Sequence, residues 1–140
     1  MKTKSILISA ISVAALTMQL NAQTVEKPIN AVQAKSEATV VFDSYNHDFG
    51  TLKESDGKAS AVFTFTNKGD SALVISKVET SCGCTASEWT REPVAPGKQG
   101  HITVTYDPTN RIYAFSKTLT VYSNGSPSRI VLTIKGTASK

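Results

Sequence analysis

The sequence predicts an all-β fold, a sandwich of two antiparallel sheets, and three observations predict it. Apolar residues recur at every second position through most of the chain and never hold helical spacing for long. Clusters of Gly, Asn, Asp and Pro separate these alternating runs at intervals that suit a sandwich. The chain has 140 residues, 40% hydrophobic and 19% charged, which is apolar enough for one packed core and too short for two full domains.

Taken in order, residues 1–22 have the layout of a signal peptide. Lys2 and Lys4 make a basic start, Ile6 to Leu16 form an uncharged apolar run, and Leu20-Asn21-Ala22 gives a small-residue exit before Gln23. The apolar run is too short to span a bilayer. Residues 23–37 are polar and read as a flexible leader with Pro28 inside it. The domain proper is expected over 38–140. Its first strand is Ala38 to Phe42, β-branched and aromatic. Ala61, Phe63 and Phe65 alternate with Val62, Thr64 and Thr66, and Leu73-Val74-Ile75 leads on to Val78. Ile102, Val104 and Tyr106 alternate with His101, Thr103 and Thr105, which puts Tyr106 in the core row and His101 on the outer face. Leu119 and Val121 make the next run, and Ile130, Leu132 and Ile134 the last. Turns fall at 53–58, 67–70, 95–97, 107–110 and 123–127, and Asn46-His47-Asp48 reads as a further turn. With no stretch left for a crossover helix, the expectation is an immunoglobulin-like antiparallel β-sandwich of about seven strands.

Charge narrows the function classes. Cleavage after Ala22 takes away 22 residues, leaving 118, and removes two lysines, so the net charge falls from +4 to +2. That balance, without a basic cluster, excludes nucleic acid as the expected partner. The mature chain is expected to lack a transmembrane anchor and to be exported, periplasmic or secreted, where disulfides persist. Neither a nucleophile elbow nor a phosphate-cradling Gly-rich loop occurs in it.

The chemical lead is Thr80-Ser81-Cys82-Gly83-Cys84-Thr85. In an extended chain both cysteine side chains face one way, with Cα atoms roughly 6.6 Å apart. That is the outer end of what a disulfide accepts, unless the backbone pinches at Gly83. A bridge across one residue would be strained and easily reduced. The residues alone leave open a disulfide between Cys82 and Cys84, two buried thiols, or a two-thiolate site for Zn or Cu with His47 or His101 as further ligands. A thioredoxin-type motif has two residues between its cysteines and a helix to lower the thiol pKa, and neither is present here. Trp89 reads as a core plug rather than a ligand platform.

Phe49-Gly50-Thr51-Leu52, Phe63-Thr64-Phe65-Thr66-Asn67-Lys68-Gly69, Leu73-Val74-Ile75 and Ser81-Cys82-Gly83-Cys84-Thr85 make the first half of a larger pattern. Pro96-Gly97, Ile102 to Asp107, Phe115 to Val121 and Ser123-Asn124 make the second. Together, over roughly Val40 to Ala138, they resemble the bacterial domain of unknown function 1573 family. The resemblance implies an immunoglobulin-type sandwich akin to Hydin-like domains and implies no activity. Where members of that family often carry a Gly-rich turn, this chain has Pro108 to Ala114, in which Asn110 is suited to a left-handed conformation.

The expected function is therefore an exported, non-catalytic module, protein-interacting or structural, with a protein or other cell-envelope partner and no cofactor. The alternative is a thiol-redox or metal-binding protein that uses Cys82 and Cys84.

Overall fold

A computed structural model describes residues 36–140. The expected signal peptide, and the expected leader up to residue 35, lie outside the described residues. Eight strands follow one another: β1 (Val40–Phe42), β2 (Asn46–Lys53), β3 (Ala59–Asn67), β4 (Ile75–Thr80), β5 (Thr85–Trp89), β6 (Gln99–Tyr106), β7 (Ala114–Ser123) and β8 (Arg129–Ser139). One 3₁₀ turn, Glu54–Asp56, follows β2. The strands form two four-stranded sheets, ordered β1-β3-β6-β5 and β2-β8-β7-β4.

The alternating rows meet between the sheets. Phe63 and Phe65 of β3, Ile102, Val104 and Tyr106 of β6, Leu119 and Val121 of β7, and Leu132 and Ile134 of β8 are all buried in one cluster. Tyr106 lies flat on Phe115, with ring centroids 3.9 Å apart, and Phe42 tilts against Phe65 at 5.4 Å. His101 points outward and is exposed, as the alternation requires.

Three expectations are corrected. The second sheet is mixed, because β2 runs parallel to β8. The reason is the short link at residues 43–45. It carries the chain from β1 in one sheet to β2 in the other without reversing it, and β8 already runs that way. Asn46-His47-Asp48 is not a turn but the start of β2, paired with Thr133, Ile134 and Lys135. Its alternation is hidden by a bulge: the register slips between Asp48 and Thr51, where Gly50 sits at φ 65° and donates its N–H to the Asp48 side chain at 2.8 Å. After the slip Leu52 rather than Thr51 faces inward. The count rises from about seven to eight with β2 and β5, neither of which is among the alternating runs; β5 is an edge whose inward row is Thr85, Ser87 and Trp89.

Candidate functional site

Three connections meet at one end of the sandwich: the 3₁₀ turn after β2, the Ser81–Cys84 turn between β4 and β5, and the Asp107–Tyr113 loop between β6 and β7. Asn110 donates its backbone N–H to the Glu54 carboxylate at 2.7 Å, tying the first to the third. Asp107 donates its N–H to the Cys84 carbonyl at 2.9 Å, tying the third to the second.

Cys82 and Cys84 are joined by a disulfide, with Cα atoms 5.4 Å apart. The segment is a turn rather than a strand, which shortens the separation expected of an extended chain. Gly83 does not use its conformational freedom here: its φ is not left-handed, and an added Cβ would meet nothing within 4 Å. The sulfurs differ in setting. Cys84 belongs to the core cluster and is 7% exposed, whereas Cys82 is half-buried at its margin. Cys84 directs its backbone N–H to Cys82 Sγ at 3.3 Å. The Thr85 hydroxyl lies 3.7 Å from Cys82 Sγ and 3.8 Å from Cys84 Sγ.

The turn is anchored on β7. Ser81 donates its N–H to the Thr118 carbonyl at 3.0 Å, and Thr118 returns its N–H to Ser81 Oγ at 3.1 Å. Next to Thr118, Lys117 is half-buried in the inward row between Phe115 and Leu119. Sequence reasoning missed Lys117. The signal was there: extending the Leu119 and Val121 row back by one position puts a lysine among core residues. Thr85 was missed as well, and its β-branched side chain directly after the motif was the only cue.

Beneath the β6–β7 loop sits Tyr106, 0% exposed, with a hydroxyl that has no hydrogen-bond partner among the described residues. Burial pushes its phenol above the ordinary tyrosine range, and neighbouring Tyr113 adds to the effect. The loop itself is well tied. Asp107 accepts the Thr109 N–H at 3.0 Å, Arg111 donates its N–H to the Pro108 carbonyl at 2.9 Å, and Ala138 donates to the Tyr113 carbonyl at 3.0 Å. Asn110 takes φ 59°, as the sequence suggested. The Thr109 hydroxyl and N–H hold the Asp107 carboxyl below the usual range. Yet the loop turns Ile112 and Tyr113 outward, 43% and 49% exposed.

The two histidines do not join the cysteines. His101 lines a shallow cleft of about 340 Å³ with Glu88 and Thr103 on the outer face of the first sheet. His47 packs edge-on against Phe49, centroids 4.6 Å apart, beside a separate cleft of about 160 Å³. Among the described residues no group of three His, Cys, Asp or Glu side chains is placed to hold a metal ion. Trp89 is half-buried at the open margin between β4 and β5. Its indole N–H reaches the Ile75 carbonyl at 3.2 Å, and the Arg91 guanidinium covers its ring at 3.6 Å. No helix among the described residues is long and apolar enough to cross a membrane.

Two facing four-stranded sheets, entered by a chain that switches sheets between β1 and β2, define an immunoglobulin-like β-sandwich. Solved structures share it. A protein of unknown function from Porphyromonas gingivalis W83 superposes with a TM-score of 0.65 at 17% identity, over 76% of this chain and 50% of that one. The ASH/PapD-like domain 7 of human CEP192 gives a TM-score of 0.61 at 7% identity, over 74% and 87%. The VesB protease of Vibrio cholerae gives 0.56 at 17% identity, over 73% and 32%. The chain thus spans half the length of the Porphyromonas protein and about a third of the protease. No curated protein matches the sequence. Residues 40–138 match the model of the protein family of unknown function DUF1573, and the chain belongs to that family.

Proposed function

We propose that the protein is an exported, non-catalytic module that binds a protein partner of the cell envelope through the end of the sandwich where the β6–β7 loop stands. The observation that carries this reading is the state of that loop. Its backbone is tied to Glu54, Cys84 and Ala138, yet it presents Ile112 and Tyr113 to solvent. A large apolar and an aromatic side chain exposed together on an ordered loop mark a contact surface. Because the loop is already held, little ordering entropy is lost when a partner docks. The layout of residues 1–22 supports export, since a signal sequence places the mature chain where such a partner would be met.

The test is a photo-crosslinking amino acid at position 113 in cells that make the protein. It is compared with the same residue at position 131, which is 46% exposed on the outer face of the other sheet. The expected result is a discrete protein adduct from position 113 only, lost when Ile112→Ser is added, on a chain recovered from the cell envelope with Gln23 at its amino terminus. Equal adducts from both positions, or an uncleaved chain in the cytoplasm, would refute the reading.

A further inference from the structure

We propose that Cys82 and Cys84 form a thiol–disulfide exchange site in which Cys82 is the sulfur that meets the partner, the partner being a protein dithiol or disulfide. This does not depend on the binding role of the β6–β7 loop.

Exchange needs one accessible sulfur, a second sulfur held within reach, and surroundings that favour a thiolate on the first. The turn supplies each. Cys82 is the more exposed of the pair, and Cys84 is packed into the core one residue away. The Cys84 N–H points at Cys82 Sγ, and the Thr85 hydroxyl is within reach of both sulfurs, so two donors face the atom that would carry the charge. The nearby carboxylates are occupied elsewhere. Glu79 is exposed and held by Lys77 and by the Tyr122 hydroxyl, and Asp107 is held by Thr109. The donors take over the part that a helix N-terminus plays in other dithiol sites.

The reaction balances in two steps. A thiolate of the incoming dithiol attacks Cys82 Sγ. The Cys82–Cys84 bond breaks, a mixed disulfide forms on Cys82, and Cys84 leaves as a thiolate that takes up a proton. The second thiol of the partner, losing its proton, then attacks the partner's own sulfur in the mixed disulfide. Cys82 is released as a thiolate, the partner becomes a disulfide, and this chain becomes a dithiol. In the reverse direction the Cys82 thiolate attacks a partner disulfide, and Cys84 resolves the intermediate. In both directions the mixed disulfide sits on Cys82.

The experiment uses the purified protein and glutathione as the probe. In folded wild-type protein, buffers of reduced and oxidised dithiothreitol should open and close the bridge reversibly, followed by alkylation and mass mapping. Cys84→Ser, reacted with oxidised glutathione, should trap one glutathione on Cys82. Cys82→Ser should form its adduct at least roughly tenfold more slowly, since the remaining sulfur is buried. The alkylation rate of Cys82 in the Cys84→Ser variant should rise with pH through a midpoint below the ordinary thiol value of about 8.5. A bridge that opens only in denaturant overturns the proposal, and this outcome needs no variant. So does an adduct that forms as fast on Cys84 as on Cys82. A midpoint at the ordinary thiol value overturns the role assigned to the donors.

Discussion

Asn67 gives the sharpest test of how the sandwich is closed at the end away from the disulfide. It is the last residue of β3 and is 0% exposed. Its Oδ1 accepts the N–H groups of Thr39 at 3.2 Å and Gly69 at 3.0 Å. Its Nδ2 donates to the carbonyls of Ser71 at 2.7 Å and Val94 at 2.9 Å. One amide therefore serves the start of β1, the turn after β3 and the segment before β6. Asn67→Leu keeps the branched heavy-atom skeleton, with bulkier methyls in place of the amide oxygen and nitrogen, and strands all four of these backbone groups. An unmatched buried group costs about 1–3 kcal/mol. The Val94 carbonyl stands at the upper end because its bond is fully buried, while the other three are part-buried and recover some water. The total comes to about 3–5 kcal/mol, and in a domain of this size each 1 kcal/mol lowers Tm by about 4–8 °C. A fall in Tm of at least about 12 °C is expected, with the urea midpoint lowered and its slope unchanged. Asn67→Asp is the companion. It keeps the acceptors but turns anionic oxygen toward two carbonyls, so its folded pKa rises above the unfolded value. Its stability is then greatest in acid and is lost as pH rises through the folded pKa. An Asn67→Leu protein within about 1 kcal/mol of wild type, or an Asn67→Asp protein as stable as wild type at pH 7, would refute the reasoning.

Two aromatic side chains, one half-buried and one buried, carry the remaining stability predictions. Trp89 is the single tryptophan, and the Arg91 guanidinium covers its ring at 3.6 Å. Arg91→Ala should red-shift its fluorescence and cost about 0.5–1 kcal/mol in urea unfolding, and an unchanged spectrum counts against the stacked geometry. Tyr106→Phe removes a buried hydroxyl that has no partner among the described residues, so it should be neutral or stabilising by up to about 1 kcal/mol. Because burial raises the Tyr106 pKa, the stability tied to this group is present below the unfolded value near 10 and is lost as pH rises through the folded one. The Phe variant should therefore resist alkaline unfolding better than wild type, and greater alkaline sensitivity would contradict the buried position.

How far the sequence could be read depends on where local pattern and tertiary context agree. Alternation placed the rows through Phe63, Ile102, Leu119 and Leu132 because those strands lie inside the sheets and bury one face without interruption. It failed at β2, where a one-residue bulge at Gly50 reverses the inward face and an aromatic histidine fills a core-side position. It failed at β5 because an edge strand at the margin of the sandwich tolerates Thr and Ser inward. At the candidate site the Cys82 and Cys84 spacing was visible, but the state of the pair was not, since the turn that brings them to 5.4 Å is set by the ladder to Thr118. Asn67 read as a turn residue because its four bonds reach segments up to 28 positions away.

The two ends of the sandwich differ in how closely their backbones pack. At the Asn67 end a Cβ on Gly69 would overlap the backbone of Glu37, Ala38 and Thr39, and one on Gly125 would come within 2.7 Å of Leu73 Cδ1. Backbones that close have no room for a changing surface. The opposite end keeps a half-buried sulfur and two exposed large side chains, with the Asp107 N–H to Cys84 carbonyl hydrogen bond of 2.9 Å between their segments. That link lets binding and exchange be separated by experiment. If Cys82→Ser abolishes the mixed disulfide and leaves the position-113 adduct intact, recognition belongs to the β6–β7 loop and chemistry to the turn. If opening the bridge in wild-type protein also removes the adduct, the Cys84 carbonyl is holding the loop in its binding form, and the redox state of the pair controls the contact.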